Sequence, residues 1–341
     1  MKYFTAYILP VMVIISFTNE GLWTLAPIAF AFVFIPIVEF LLGKNAYNLS
    51  DAEKELVQED KIYDFIIYST VFIHVGMLVW FLSIINDHPL ASFTTIGRIA
   101  SMGLMCGVFG INVAHELGHR TTKYEQFMSK LLLSTSLYMH FFIEHNKGHH
   151  RNVGTPEDAA TARKGEMLYA FWIRSIIGTY LNAWRIENKE RRRKKKTEWS
   201  LGNEMLQYQL IQLGIVLGIY WILGTNAMLA FIASAIIGIL LLETVNYIEH
   251  YGLERKKINE HRYEDVNPSH SWNSDYALGR LVLFELTRHS DHHTTPSKHY
   301  QLLDTTPDAS ELPAGYPSMM ILAALPPVWN RIMNTRVPVG Q

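Results

Sequence analysis

The sequence is short of cysteine, of evenly spread charge and of any nucleotide-binding loop, and each shortage removes a class of function. A single cysteine, Cys106, excludes an intramolecular disulfide and any cysteine-ligated cluster carried on this chain. Set within an apolar block, it reads as a small core hydrophobe. No glycine-rich motif sits in a βαβ context, so no dinucleotide or flavin module is expected. No serine, histidine and acid fall into a nucleophilic arrangement, and internal repeats and low-complexity linkers are missing. Charged residues make up 18% of the 341, with a net charge of −1. The mean hydropathy of +0.07 conceals long apolar blocks separated by polar segments, which is a membrane pattern rather than a soluble one.

Blocks at 22–42, 62–85, 93–115 and 226–250 approach the twenty or so apolar residues that a spanning helix needs, and a shorter one lies at 208–224. A sixth, 3–17, is short; Ser16-Phe17-Thr18-Asn19 lacks a small-residue cleavage pattern, so it reads as a retained first helix. The turns at 18–21, 86–92 and 224–226 carry no Lys or Arg. Segments 43–61, 116–207 and 251–341 carry Lys and Arg, including the run Arg191–Lys196. The positive-inside rule therefore assigns both termini and these segments to the cytoplasm. Two further apolar stretches, 127–145 and 167–184, read as re-entrant or interfacial, because a span at 127–145 would carry the Arg191–Lys196 run outside. Trp23, Trp80 and Trp221 fall at span ends as interfacial anchors. The expected fold is an all-α integral membrane protein. About six transmembrane helices are capped by a cytoplasmic, mostly helical, histidine-rich portion, and 1–341 forms one domain.

The abundant residue is histidine: fifteen, in a chain this apolar. Four clusters stand out: His115-Glu116-Leu-Gly-His119, His145-Asn-Lys-Gly-His149-His150, Glu249-His250 and His289-Ser-Asp291-His292-His293. Spacings of three and four put side chains on one helix face, which groups His115 with His119, His145 with His149, and His289 with His292 and His293. All nine fall at one membrane boundary in the topology above. Nine imidazoles exceed one zinc site and suit two ions of four or five ligands each. Redox work and the missing thiolates point to iron. Glu116, Glu249 and Asp291 are expected to stand behind the ligands, accepting the far ring N–H and offsetting cation charge. His74, His88, His140, His261, His270 and His299 lack paired spacing and read as surface, core or supporting residues.

These motifs resemble the alkane 1-monooxygenase family of bacterial membrane hydroxylases, whose wider group includes xylene monooxygenases and membrane fatty-acid desaturases. The likeness covers essentially the whole chain. It is carried by His115-Glu-Leu-Gly-His-Arg120, Glu144-His-Asn-Lys-Gly-His-His150, Asn246-Tyr-Ile-Glu-His-Tyr-Gly-Leu253 and Leu286-Thr-Arg-His-Ser-Asp-His-His293. Thr155-Pro-Glu-Asp-Ala-Ala-Thr-Ala162 and Lys298-His-Tyr-Gln301 extend it, and the Asn246–Leu253 block separates such hydroxylases from desaturases. Ala159 and Asp304 depart from the family pattern in flanking loops.

The resemblance implies that His115, His119, His145, His149, His150, His250, His289, His292 and His293 hold two irons. It implies O2-dependent terminal hydroxylation of n-alkanes drawn from the bilayer of a bacterial inner membrane. Electrons would come from a rubredoxin fed by an NAD(P)H-dependent rubredoxin reductase, consistent with a chain that has no redox module of its own. The Arg191–Lys196 run reads either as a topology signal drawn to anionic lipid or as an electrostatic guide for that acidic donor. Rival readings are a desaturase or hydroxylase of another lipid or alkyl-aromatic substrate, and an intramembrane zinc protease using His115, Glu116 and His119. A metal transporter is a third, although its ligands belong near the bilayer midplane. Gly103, Gly107 and Gly110 suit either close helix packing or a substrate path.

Overall fold

A computed structural model describes residues 2–260 and 262–338; His261 and the terminal Gln341 lie outside the described residues. Five helices are long and apolar enough to cross a membrane: Gly21–Leu42, Ile62–Ile84, Phe93–Gly118, Glu204–Leu223 and Thr225–His250. The sixth expected span is the shorter apolar helix Lys2–Thr18. Among the described residues, sheet is confined to short pairings, Lys257–Asn259 with Arg262–Tyr263 and Trp272–Asn273 with Ser310–Glu311. The chain is thus a helical integral membrane protein.

Burial sorts the spans into inner and outer ones. In Phe93–Gly118, 67% of the apolar window is buried, against 6% in Glu204–Leu223, so the former is the axis of the bundle and the latter faces lipid. The axis helix packs on Thr225–His250 through small residues. A Cβ on Gly238 would come within 2.6 Å of the Cys106 Cβ, and one on Gly103 within 2.5 Å of Ile237. Such contacts bring backbones close where no hydrophobic drive exists in lipid. Gly103 and Gly110 are therefore packing residues, the latter against Ser136 and His74. Gly107 packs against Leu241 and also lines a cavity.

The 127–145 stretch does not cross. Helix Lys123–Thr135 ends at Ser136, Leu137 turns with φ 52°, and the chain returns through Phe141–Glu144. At its tip the Thr135 hydroxyl meets His74 Nε2 at 2.8 Å, in the middle of the Ile62–Ile84 span, and Met139 N donates to Gln212 Oε1 at 2.9 Å. Irregular backbone at such depth survives only inside protein, and residues 132–136 are all buried. The hairpin is re-entrant, and His74 is one of its struts.

The 167–184 stretch opens the long amphipathic helix Leu168–Arg193, which buries Phe171, Ser175, Thr179, Ala183 and Glu187 and leaves Ile173, Ile177 and Leu181 exposed. Its last turns lie level with the start of the Glu204–Leu223 span, because Glu187 accepts from Glu204 N at 3.1 Å.

Candidate metal centre

The nine histidines reach the centre from four supports. His115 and His119 end the axis helix one turn apart, and His250 ends its own span. His145, His149 and His150 lie on the returning arm of the re-entrant hairpin. There the turn His145–His149 widens, and His150 N bonds to His145 O, five residues back. His289, His292 and His293 occupy the short helix His289–Thr294, reached through positive-φ residues Phe284 and Glu285. Glu285 is fixed by Tyr3 O–H at 2.7 Å and by Arg280 at 2.8 Å.

The nine rings resolve into two groups: His115, His119, His145, His150 and His292 in one, His149, His250, His289 and His293 in the other. In the first, Nε2 atoms approach in a chain: His115 to His292 at 2.9 Å, His292 to His150 at 3.1 Å, His150 to His145 at 3.0 Å, and His145 to His119 at 3.1 Å. In the second, His149 meets His293 at 3.2 Å, His293 meets His289 at 2.9 Å, and His289 meets His250 at 3.1 Å.

One Nε2 carries either one proton or one lone pair, yet those of His145, His150, His289, His292 and His293 each face two others. Hydrogen bonds cannot satisfy such a ring. A cation can: two nitrogens about 2.1 Å from one ion and at right angles lie about 3.0 Å apart. The donor set is all imidazole, which accepts iron, zinc, copper or nickel.

Burial prepares these donors. It pushes His119 down to about 3, with repulsion from His149 adding to the effect. Burial likewise holds His145, His150, His289, His292 and His293 well below the usual value, so all keep a free lone pair at neutral pH. His149 is the exception. Burial opposes its charge, but Asp158 holds it above the ordinary value, because Asp158 Oδ2 faces His149 Nδ1 at 2.9 Å.

Asp158 is the residue that spacing analysis missed. It is fully enclosed and also accepts from Thr161 Oγ1 at 2.6 Å and Ala160 N at 3.1 Å. Its signal was present in the Thr155–Ala162 stretch that extends the family likeness.

The three acids expected behind the ligands have other partners. Glu116 accepts from Arg120 Nη2 at 2.7 Å and Tyr300 N at 3.3 Å, tying the Lys298–Gln301 loop to the axis helix. Asp291 accepts from Lys298 Nζ at 2.6 Å and Asp304 N at 2.8 Å, so it braces a loop rather than a ring. Lys298 and Lys54 then pair with Asp304, which gives that departure from the family pattern a structural role. Glu249 accepts from Tyr316 O–H at 2.8 Å and lies 3.3 Å from His289 Nε2, on the converging side of the ring. The far nitrogens of His150, His289 and His293 meet no acceptor among the described residues. His88 pairs with Glu20, His270 with Glu264, and His299 with Arg120, while His140 packs on Tyr138 and Tyr180.

An apolar cavity of about 850 Å³, counting space open to its surroundings, ends on this centre. Spans Gly21–Leu42, Phe93–Gly118 and Thr225–His250 wall it with Ala31, Leu104, Val108, Leu241 and Val245, and its inner end is formed by His115, His145, His289, Glu249 and Tyr316. Leu104 and His115 are about 16 Å apart along their helix, so the space is long as well as apolar.

Comparison with known proteins agrees with this arrangement. The fatty acid desaturase family model matches residues 91–321. Alkane 1-monooxygenase 1 of Alcanivorax borkumensis is 36% identical over 95% of this chain and 80% of its own length. Alkane 1-monooxygenase 1 of Pseudomonas aeruginosa is 37% identical over 94% and 84%. The hydroxylase component of xylene/toluene monooxygenase from Pseudomonas putida is 31% identical over 68% and 62%. With two converging histidine groups at the end of an apolar, membrane-embedded cavity, the chain belongs to the fatty acid desaturase family and, within it, to the alkane 1-monooxygenases.

Proposed function

We propose that the protein hydroxylates the terminal carbon of n-alkanes with O2, using two non-heme irons held by His115, His119, His145, His150 and His292 and by His149, His250, His289 and His293. The observation that carries this reading is the cavity: apolar along its length and closed at one end by rings from both groups. Iron, when bound, supplies the O2 activation and oxidising power needed to replace a C–H hydrogen by hydroxyl.

The chain's own residues account for the rest. An alkane offers no polar handle, so binding comes from burying methylenes, at about 0.8 kcal/mol each. Leu104, Val108, Leu241 and Val245 provide that surface and exclude water. The long cavity admits the chain end-on, which brings the terminal carbon to the rings first. Glu249 and Tyr316 are polar groups at that inner end and offer partners to the new hydroxyl. Asp158 holds His149 in one orientation with its Nε2 turned to the centre.

Balance requires two electrons and two protons per oxygen inserted, with one water released. The 1–341 chain acts as one hydroxylase unit, and a separate acidic protein of the rubredoxin type, reduced through an NAD(P)H-dependent reductase, is the donor. The centre and both termini lie on the cytoplasmic side of a bacterial inner membrane, a reading supported by the Lys and Arg of the long loops and their absence from the short turns. Two observations favour this reading over the zinc protease. Nine rings in two groups exceed one zinc site, and Glu116 is clamped by Arg120 rather than free to act as a base.

The deciding experiment incubates iron-loaded protein with reductase, donor, O2 and an n-alkane series, then analyses products and metal. Primary alcohols and two irons per chain are expected. Alkenes, non-terminal products or one zinc per chain would overturn the reading.

A further inference from the structure

The helix Leu168–Arg193 carries an outward ridge with a step of four residues: Tyr169, Ile173, Ile177, Leu181, Arg185, Lys189 and Arg193. Residues four apart form one continuous ridge on an α-helix. All seven are exposed. The first four form an apolar track about 18 Å long; the last three are cationic over about 12 Å.

The change of character falls near the level where the neighbouring span begins, since Asn188 and Asn203 are joined at 3.0 Å. At the other end Trp172 donates to Thr244 at 3.1 Å, inside the Thr225–His250 span. The track therefore runs alongside buried helix and emerges where the bundle ends.

Its cationic half opens into a cleft of about 1100 Å³, counting space open to solvent. Lys147 and Arg151 line the opposite wall, so five cations face only two carboxylates, Glu157 and Glu190. Glu190 pairs with Lys147 at 2.9 Å. Arg151, Arg185, Lys189 and Arg193 have no ion-pair partner among the described residues. The remainder of the basic run behaves differently: Arg191 is buried and donates to Thr197 O at 2.7 Å, and Arg192 pairs with Glu198.

We propose that this ridge and cleft bind one anionic phospholipid, with an acyl chain along Tyr169, Ile173, Ile177 and Leu181 and the phosphate headgroup among Arg151, Arg185, Lys189 and Arg193. Both halves are required. Unpaired cations suit any anion, but only a lipid also covers a lipid-exposed apolar track continuous with them. An acidic protein would use the cleft and leave the track bare. The site lies against the centre's scaffold: Asn182, on the cleft wall, donates to Glu144 at 3.0 Å, next to His145, and Lys147 and Arg151 flank His149 and His150 in sequence. Bound lipid thus clamps Leu168–Arg193 onto the arm that carries three of the nine rings. This inference does not depend on which substrate the centre oxidises.

The test measures phosphatidylglycerol retained by the metal-loaded protein from phosphatidylcholine bilayers containing a minor fraction of it. Wild-type protein is expected to retain it, and the triple variant R185Q/K189Q/R193Q to hold it about 100-fold more weakly, at roughly fivefold per cation near the surface. The control R192Q/K195Q/K196Q removes the same charge beyond the cleft and should behave as wild type. Equal loss in the two variants would reduce the effect to general surface charge and overturn the site. I173N/I177N should weaken phosphatidylglycerol retention yet spare binding of glycerophosphoglycerol; unchanged lipid retention would overturn the acyl track. Slowed electron delivery in the triple variant with lipid retention intact would make the cleft a protein-docking surface instead. Photoactivatable phosphatidylglycerol on the unaltered protein provides a readout independent of any variant: crosslinks should concentrate in 169–193, and their absence there would sink the proposal.

Discussion

The two histidine groups make an instructive pair, because more rings go with less shelter. The four-ring group is wholly buried, with Asp158 on His149 and Glu249 beside His289. The five-ring group includes two partly exposed rings, His119 and His150, and His119 lines a polar pocket with Asp64, Tyr68, Arg120 and Glu125. An ion in a low-dielectric interior needs negative charge close by, and Asp158, paired with His149, stands on the buried side. Where solvent reaches, a fifth neutral donor takes the place of an acid. Depth, donor number and charge compensation are thus three parts of one electrostatic solution.

His292 and His293 break that comparison most sharply, being neighbours in sequence that serve different groups. His293→Ala leaves three rings and should empty the buried site, giving about one metal per chain. His292→Ala leaves four and should retain two metals at saturating iron, bound more weakly. Turnover is lost in both, so metal analysis decides; identical metal loss would erase the distinction between the groups.

The carboxylate support comes next. Asp158→Asn should lower metal affinity or activity on the order of 10–100-fold, the usual effect of removing a group that orients a ligand ring. Asp291→Asn should leave metal affinity near the wild-type value, because its partners are Lys298 and Asp304 N. A larger metal defect in D291N than in D158N would reverse the assignment of roles.

A smaller effect concerns the arm shared by both groups. A Cβ on Gly148 would come within 2.6 Å of Glu144 Oε1 and 2.8 Å of Asn182 Nδ2. Gly148→Ala should therefore cost about 1–3 kcal/mol, typical of overpacking, read as earlier thermal unfolding in detergent. Unchanged unfolding would mean that the arm yields freely.

The smallest effect is on pH dependence beside His292. Burial raises the Asp304 carboxyl, but Lys298 and Lys54 outweigh it and hold it below its ordinary value. A depressed folded-state pKa contributes stability above the unfolded value of about 3.9, and that stability is lost as pH falls through the folded value. Asp304→Asn should flatten the acid limb of an unfolding curve below about pH 4; an unaltered limb would remove Asp304 from the network.

Legibility followed the range of the interactions involved. Apolar block length locates the spans to within a few residues, because a span answers to the bilayer and little else: 62–85 was expected and Ile62–Ile84 is found. The i, i+4 rule correctly joins His115 to His119 and His289 to His293. It also brings His145 beside His149, their rings 5.2 Å apart, but it does not foresee the widened turn that bonds His150 N to His145 O and sends His149 to the other group. Spacing likewise groups His292 with His289 and His293, whereas its Nε2 faces His115 and His150. Asp158 was visible only as part of a familiar stretch, since nothing in its spacing from His149 marks it as a partner.

The sequence by itself determined a histidine-rich membrane helix bundle with apolar stretches between its spans that do not cross, since hydropathy, loop charge and residue type are local quantities that need no partner. Tertiary structure alone decided how nine rings divide into five and four, which acids support them, and which side chains wall the cavity. Each of those is a distance between residues far apart in the chain, fixed only when the axis helix, the re-entrant arm and the His289–Thr294 helix pack against one another.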